Sequence, residues 1–457
     1  MSELASRDRA DVRALVLPTA QERARIAEFR AMKNLEVIEG DLTDPACVAT
    51  CVRGVDVILH VGAVVSPVAD DQPVLAHRVN TGAAKNIVDA VAALDDPSRV
   101  SVVMVGSVAQ TGGRNPPRHW GRVGDPICVS EFDEYGQSKV VAERTLIDSG
   151  LPRWAWLRQS GILHRGLLGV QDPIVTHVPL GGVLEWVTAE DSARLLANIV
   201  ENEVPDEFWC DVYNVGGGEA WRWTNWQMLQ QISRALGTED PRRWYERRWF
   251  ARKNFHGHWY TDSDRLEAML PFRKDTVEAA LARCVEHAPT SAKMARFVPD
   301  AVIKHFGMKP LASRPRGTLA WIRAREAEKI RAYYGSMDDL NAIGDWSSFD
   351  EPAPSRVQTR LSHGYDEDKP RARWALSDLR DAAHFRGGSV VSTHMREGDL
   401  GAKVTWACAD GHRFDASPRL VLAAGHWCPT CLRAPREYAR HCERNAFLAQ
   451  VQPEFPA

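Results

Sequence analysis

Two short runs constrain this chain most. Val55–Val61 and Val100–Val105 are apolar almost throughout, yet only strand-length. A strand with apolar residues on successive positions must be covered on both faces, as in parallel sheets clad by helices. The surrounding pattern agrees. Arg13–Leu17, Leu35–Glu39 and Arg153–Leu157 read as further strands, and Gln21–Met32, Asn80–Leu94 and Ser138–Ser149 have helical periodicity. This alternation predicts right-handed βαβ units and an α/β, doubly wound parallel sheet.

The 457 residues suggest two to three domains at about 150 residues each. The expected divisions are a sheet-forming domain over 1–290, a helical extension and linker over 291–370, and a C-terminal region over 371–457. With 44% hydrophobic and 26% charged residues, the chain is a globular protein and neither disordered nor collagen-like. A net charge of −3, from 57 Lys and Arg against 60 Asp and Glu, leaves no overall footprint for nucleic acid or an anionic membrane. No apolar run is long enough to span a bilayer. The charged Met1–Val12 stretch lacks the apolar core of a signal peptide. A cytoplasmic chain is expected. Four of its nine cysteines fall between Cys408 and Cys442, which reads as metal binding before disulfides.

Tyr135-Gly136-Gln137-Ser138-Lys139 places a phenol and an ammonium four apart, on one helix face. An ammonium near a phenol favours the phenolate, so Tyr135 is expected to titrate nearer neutrality and to serve as a general acid/base. Such pairs are also common on solvated helix faces, so context decides. Ser107 closes the buried strand that starts at Val100, and strand C-termini face the ligand crevice of open α/β sheets. Its hydroxyl can hold a substrate oxygen opposite Tyr135.

Several stretches carry a family resemblance, in order and at matching spacing: Gly40–Asp44, Asp56–Ala63, Asn80, Val105–Ser107, Tyr135–Lys139, Leu157-Arg158, Trp186–Asp191 and Tyr213–Gly217. Over about residues 13–290 the chain resembles the extended short-chain dehydrogenase/reductase (NAD-dependent epimerase/dehydratase) superfamily. The resemblance implies a Rossmann fold over 1–290, bound NAD or NADP, and a Ser107/Tyr135/Lys139 site acting on a hydroxyl or carbonyl. The substrate would be a small molecule such as a sugar nucleotide or a steroid-like alcohol. By the same resemblance Asp41 contacts the adenine amine, Leu42 packs on its ring, and Val61, Gly62, Ala63 and Asn80 line the cofactor. Lys139 holds the nicotinamide ribose. Homodimerisation would use the helix that carries Tyr135 and Lys139. The residues after Ser107 are Val108, Ala109 and Gln110, without the acid that sugar dehydratases place there, which disfavours that subclass.

One departure stands out. The family opens with a strand and a Gly-x-x-Gly-x-x-Gly turn that holds the cofactor's pyrophosphate at a helix N-terminus. Here Arg13–Leu17 matches the family's second strand, so about one strand and one helix have no counterpart. A start assigned too far downstream is the preferred reading; a truncated gene and a catalytically impaired scaffold are the others. The chain as written is expected to bind NAD(P) poorly and to be unstable. After the next strand stand Leu17-Pro18-Thr19, with neither an Asp for a ribose hydroxyl nor an Arg for a 2′-phosphate, so NAD and NADP both remain open.

Arg242–Trp249 interleaves arginines with aromatics, but a substrate-domain surface accounts for it better than nucleic acid does. Two histidines, His256 and His258, lack nearby partners at ligand spacing. At about 400–435, Cys408, His412, Cys428 and Cys431 form C-x3-H, a 15-residue spacer and C-x2-C. Three thiolates and one imidazole make a closed tetrahedral structural zinc site. The motif resembles probable zinc-ribbon domains. His426, His441 and Cys442 are reserve ligands. Seven basic and five acidic side chains from Gly401 to Ala457 make a protein-contact or structural role more fitting than DNA binding.

Overall fold

The computed structural model describes residues 1–238 and 240–451. The expected α/β order is present: β1 (Val12–Val16), α1 (Ala20–Ala27), β2 (Leu35–Glu39), α2 (Pro45–Cys51), β3 (Val57–His60), α3 (Gly82–Ala92), β4 (Ser101–Ser107), α4 (Glu134–Ile147), β5 (Trp154–Gln159), α5 (Ala189–Glu201) and β6 (Asp211–Val215). Local chemistry sets the helix starts. Asp44 caps α2 through Ala46 N with Pro45 in the first turn, and Asp133 caps α4 by accepting from Gly136 N at 2.7 Å.

The strands form two parallel pieces. Four pair in the order β6-β5-β4-β3, with Val102 opposite Trp154 and His60 opposite Met104. β1 pairs with β2 in a separate two-stranded piece, Val12 opposite Leu35. Among the described strands, β1 and β3 share no ladder. This break falls where the family's first strand has no counterpart in the sequence. Burial follows the break. Six of the seven residues of β4 are buried, whereas all five of β1 and the first three of β3 are only half-buried.

After β6 the chain is mostly helical, including α6 (Thr318–Ala324) and α7 (Ala327–Tyr334). Residues 350–370 hold no helix or strand but are anchored. The ring of His363 lies 2.9 Å from Asp125 and 2.7 Å from Glu367. The C-terminal region supplies α8 (Leu376–Phe385) and an antiparallel sheet of β7 (Ser389–Val390), β8 (Val404–Ala407) and β9 (Arg413–Ala416). It packs on the main sheet. Trp374, Trp406, Trp427 and Leu420–Ala424 share one core with Trp154 and Trp156 of β5 and Leu146 of α4. Among the described residues, no helix is long and apolar enough to cross a membrane.

Candidate active site and metal centre

The structure brings Ser107, Tyr135 and Lys139 together at the C-terminal end of β4. Ser107 closes the strand, and its Oγ accepts from Ala109 N at 3.1 Å while its own N donates to Gln110 Oε1 at 2.9 Å. This tight turn admits only glycine on both sides. A Cβ at Gly106 would stand 2.4 Å from Gln110 Oε1 and 2.2 Å from Trp156 Nε1; at Gly136, 2.9 Å from Ala109 O. The first turn of α4 therefore lies against the Ser107 turn, with the Ser107 hydroxyl close enough to the Tyr135 phenol to act on its ionisation.

Lys139 is buried, its Nζ 5.9 Å from the Tyr135 ring centroid and donating to Val105 O at 2.7 Å. Burial lowers its pKa to about 8. The phenol does not behave as the sequence suggests. Burial pushes Tyr135 up to about 12, with the Ser107 hydrogen bond only partly opposing it. The ammonium is engaged by a carbonyl rather than aimed at the phenol. His60, at the end of β3, is held near 3 by burial and by Lys139, and so is neutral.

The residues expected along a cofactor also converge. The Asp41-Leu42 turn is fixed by Thr43 N to Asp41 Oδ1 at 2.8 Å and by Asn86 Nδ2 to Leu42 O at 2.9 Å. Leu42 lies over Gly62, its Cδ1 3.2 Å from where a Cβ would stand. Val61 is 58% exposed at the open end of β3, beside Gly62 and Ala63. Asn80 acts from behind. Its amide bonds Val64 N, Val64 O and Ser138 Oγ at 2.8–2.9 Å, so it shapes this wall rather than facing into the groove. The break between β1 and β3 lies between the Asp41-Leu42 turn and the Ser107, Tyr135 and Lys139 group.

Sequence reading missed the support beneath the site. Glu143, one turn after Lys139, is fully buried. It pairs with Arg158 at 2.6 Å and His426 at 3.0 Å, and Gln110 Nε2 donates to it. Burial opposes its ionisation, but Arg158 and His426 hold its pKa at about 2. Arg158 also donates to Ala424 O at 2.7 Å. The C-terminal region therefore reaches Ser107 through Glu143 and Gln110. His256, not expected to bind a metal, has Nδ1 3.2 Å from Asp133 Oδ2 at the α4 cap. Beside that cap, the Lys329 ammonium of α7 stands 3.5 Å from the Phe132 ring centroid, near Trp321 and Tyr333. The spacing of these residues carries no signal, because each contact joins distant parts of the chain.

Cys408, His412, Cys428 and Cys431 converge with all four donor atoms within 4.8 Å of one another. His412 Nδ1 lies 3.4, 3.6 and 3.4 Å from the sulfurs of Cys408, Cys428 and Cys431, and Cys408 Sγ is 3.8 Å from Cys431 Sγ. A tetrahedral zinc ion has edges of roughly 3.8 Å between sulfurs and roughly 3.5 Å from sulfur to nitrogen, so this donor set fits one. Two of the reserve ligands have other partners. His426 is spent on Glu143, and His441 bonds Asp410 Oδ2 at 2.8 Å. Asp410, Cys431 and His441 form a second, adjoining group that the sequence did not suggest.

Residues 1–203 match the model of a family described as NAD(P)H-binding. The chain is 30% identical over 137 residues to D-erythronate dehydrogenase of Cupriavidus necator, covering 29% of this chain and 40% of that protein. It is 30% identical over 186 residues to 3 beta-hydroxysteroid dehydrogenase/Delta 5-->4-isomerase of Mycobacterium tuberculosis, covering 38% and 47%. The chain thus spans less than half the length of these curated relatives. Among solved structures, it is similar to dTDP-glucose 4,6-dehydratase from Streptomyces venezuelae with NAD bound (TM-score 0.48, 20% identity, 63% of this chain and 90% of that one). It is also similar to Thermus thermophilus UDP-glucose 4-epimerase in complex with NAD (TM-score 0.47, 17% identity, 63% and 93%). Residues 1–203 are therefore similar to an NAD(P)H-binding family, over less than half of the chain.

Proposed function

We propose that this protein is an NAD(P)-dependent oxidoreductase or epimerase acting on a hydroxyl or carbonyl of a small molecule through Ser107, Tyr135 and Lys139. The observation that carries this is the convergence of the Ser107 hydroxyl, the Tyr135 phenol and the buried Lys139 ammonium at the C-terminal end of β4. When bound, the nicotinamide supplies hydride transfer. The chain's own residues do the rest. Ser107 holds the substrate oxygen, Tyr135 gives or takes the proton at that oxygen, and Lys139 orients the nicotinamide ribose. Lys139 also favours the phenolate once its ammonium turns from Val105 O. The substrate would be a small molecule such as a steroid-like alcohol or a sugar nucleotide.

The site is tested by NAD(P)H-dependent reduction of a carbonyl panel at millimolar cofactor, with Tyr135→Phe as control. Turnover lost in the variant is expected; turnover equal in both proteins rules the assignment out. A second reading, a scaffold that keeps the fold without the chemistry, is favoured by the break between β1 and β3. It predicts no saturable cofactor binding at all.

For the C-terminal region we infer one structural zinc on Cys408, His412, Cys428 and Cys431. Four protein ligands leave no open position, so the metal has a structural and not a catalytic role. Metal analysis of the purified chain should find one zinc, lost in Cys431→Ser. Metal-free protein that stays folded contradicts this. The proposed cellular setting is the cytoplasm. A homodimer through α4 and a protein partner at the zinc module are further expectations, checked by sedimentation of the purified chain.

A further inference from the structure

Toward the end of the sheet opposite Ser107 lies a cavity of about 340 Å³. That is within the range of small-molecule pockets, about 300–1,000 Å³. Its place follows from the strand register. Ser107 of β4 lies opposite Gln159 of β5, whereas Asp211 of β6, on the cavity wall, lies opposite Ala155. The two positions are roughly 13 Å apart along β5. The sheet-forming part supplies one wall through Trp209, Asp211 and Arg265, and the C-terminal part supplies the other through Arg371, Leu400 and Arg419.

The polar groups left over on these walls are donors. Asp211 is buried and its carboxylate is fully used. Its Oδ2 accepts from Arg265 Nη1 at 2.9 Å and from Arg371 Nη1 at 3.0 Å, and its Oδ1 from Val212 N at 2.9 Å. Asp211 thus fixes two guanidiniums by one N–H group each. Both side chains remain accessible, 44% and 39% exposed. Arg419 has no carboxylate at ion-pair distance among the described residues. Its guanidinium carbon lies 5.8 Å from the Trp154 ring centroid. Its Nε, like Trp209 Nε1, is buried without a hydrogen-bond partner among the described residues. Such donors favour a ligand that brings acceptors. Glu207, the other acid on the wall, is exposed to solvent.

We propose that this cavity binds the phosphate group of a small phosphate ester, its oxygens shared among Arg265, Arg371 and Arg419. Guanidinium forks match phosphate oxygens in geometry and charge. Three forks from two walls suit a tetrahedral anion, whereas a carboxylate offers only two oxygens in one plane. The site is separate from the Ser107/Tyr135/Lys139 centre and does not depend on the activity proposed there.

Calorimetric titration of the full chain tests this, with inorganic phosphate and glycerol 3-phosphate as probes and acetate as control. Saturable binding of one glycerol 3-phosphate per chain is expected, with acetate weaker by about tenfold or more. Arg419→Gln should weaken both probes by about tenfold or more. Arg380→Gln, the same change at an exposed arginine outside the cavity, should leave them unchanged. Leu400→Glu keeps all three arginines but sets a carboxylate among them, and should abolish binding while near-ultraviolet circular dichroism stays native. Lys139→Ala should bind both probes like wild type, which separates this cavity from the dinucleotide site. The proposal is overturned by absence of saturable binding of either probe, by acetate binding as well as phosphate, or by binding that survives Arg419→Gln. Retention of the chain on vesicles containing phosphatidic acid, without binding of the soluble probes, assigns the arginines to a membrane surface and overturns it too.

Discussion

The two ends of the parallel sheet are finished differently. At the β4–β5–β6 end, Trp154 and Trp156 of β5 share a core with Trp374, Trp406 and Trp427 of the C-terminal region. At the β1–β2 end, strands just as apolar remain half-exposed, because β1 and β3 are not joined. Sequence hydrophobicity is similar at both ends. Burial is not, since a strand is sealed only when both neighbours and both covering layers are present. Ser107, Tyr135 and Lys139 stand at the sealed end, whereas Val61, Gly62 and Ala63 stand at the other.

The contrast is broken most severely by removing the proposed zinc. Chelation, or Cys431→Ser, should free a region whose Trp406, Trp427, Cys408 and Cys428 lie in the shared core, at a cost of several kcal/mol. Near-ultraviolet circular dichroism and thermal unfolding report it; an unchanged melting curve contradicts it. Next comes Glu143→Gln, which leaves Arg158 buried without its counter-charge and should cost about 3–5 kcal/mol in chemical denaturation. The same carboxyl sets a pH dependence. Its folded pKa of about 2 is below its unfolded value, so the unfolded chain binds more protons between them. Its contribution to stability is present above about pH 4.5 and is lost as pH falls toward 2, and Glu143→Gln should flatten that acid limb.

Hydrogen exchange sharpens the contrast without a mutation. Amides of β1 and β2 should exchange faster than those of β4 and β5 by a factor on the order of 100. Equal protection in the two pieces contradicts the account. The smallest effect on stability is expected for Tyr135→Phe, which should leave folding within about 0.5 kcal/mol while lowering turnover roughly 100-fold or more.

What was legible in the sequence was local. Strand-length apolar runs gave the parallel sheet, the four-residue spacing put Tyr135 and Lys139 on one helix face, and the C-x3-H and C-x2-C pairs marked the tetrad. The missing glycine-rich turn foretold the break beside β3. Contacts between distant segments were not legible. His426 reaches Glu143 across 283 residues and Asp133 meets His256 across 123, and no spacing rule spans such distances. The state of Tyr135 was misjudged for a related reason. Helical spacing says that Lys139 is near, but only the fold shows its ammonium on Val105 O and the phenol held up by burial.

The central claim is the proposal that Lys139 holds the nicotinamide side of a dinucleotide site that the break between β1 and β3 weakens. NADH fluorescence titration of wild type and Lys139→Ala tests it most directly. Saturable but weak binding is predicted, with Kd of about 1 mM or a few-fold tighter, and loss of binding in Lys139→Ala. Micromolar binding by the wild-type chain, or binding indifferent to Lys139, would contradict the account.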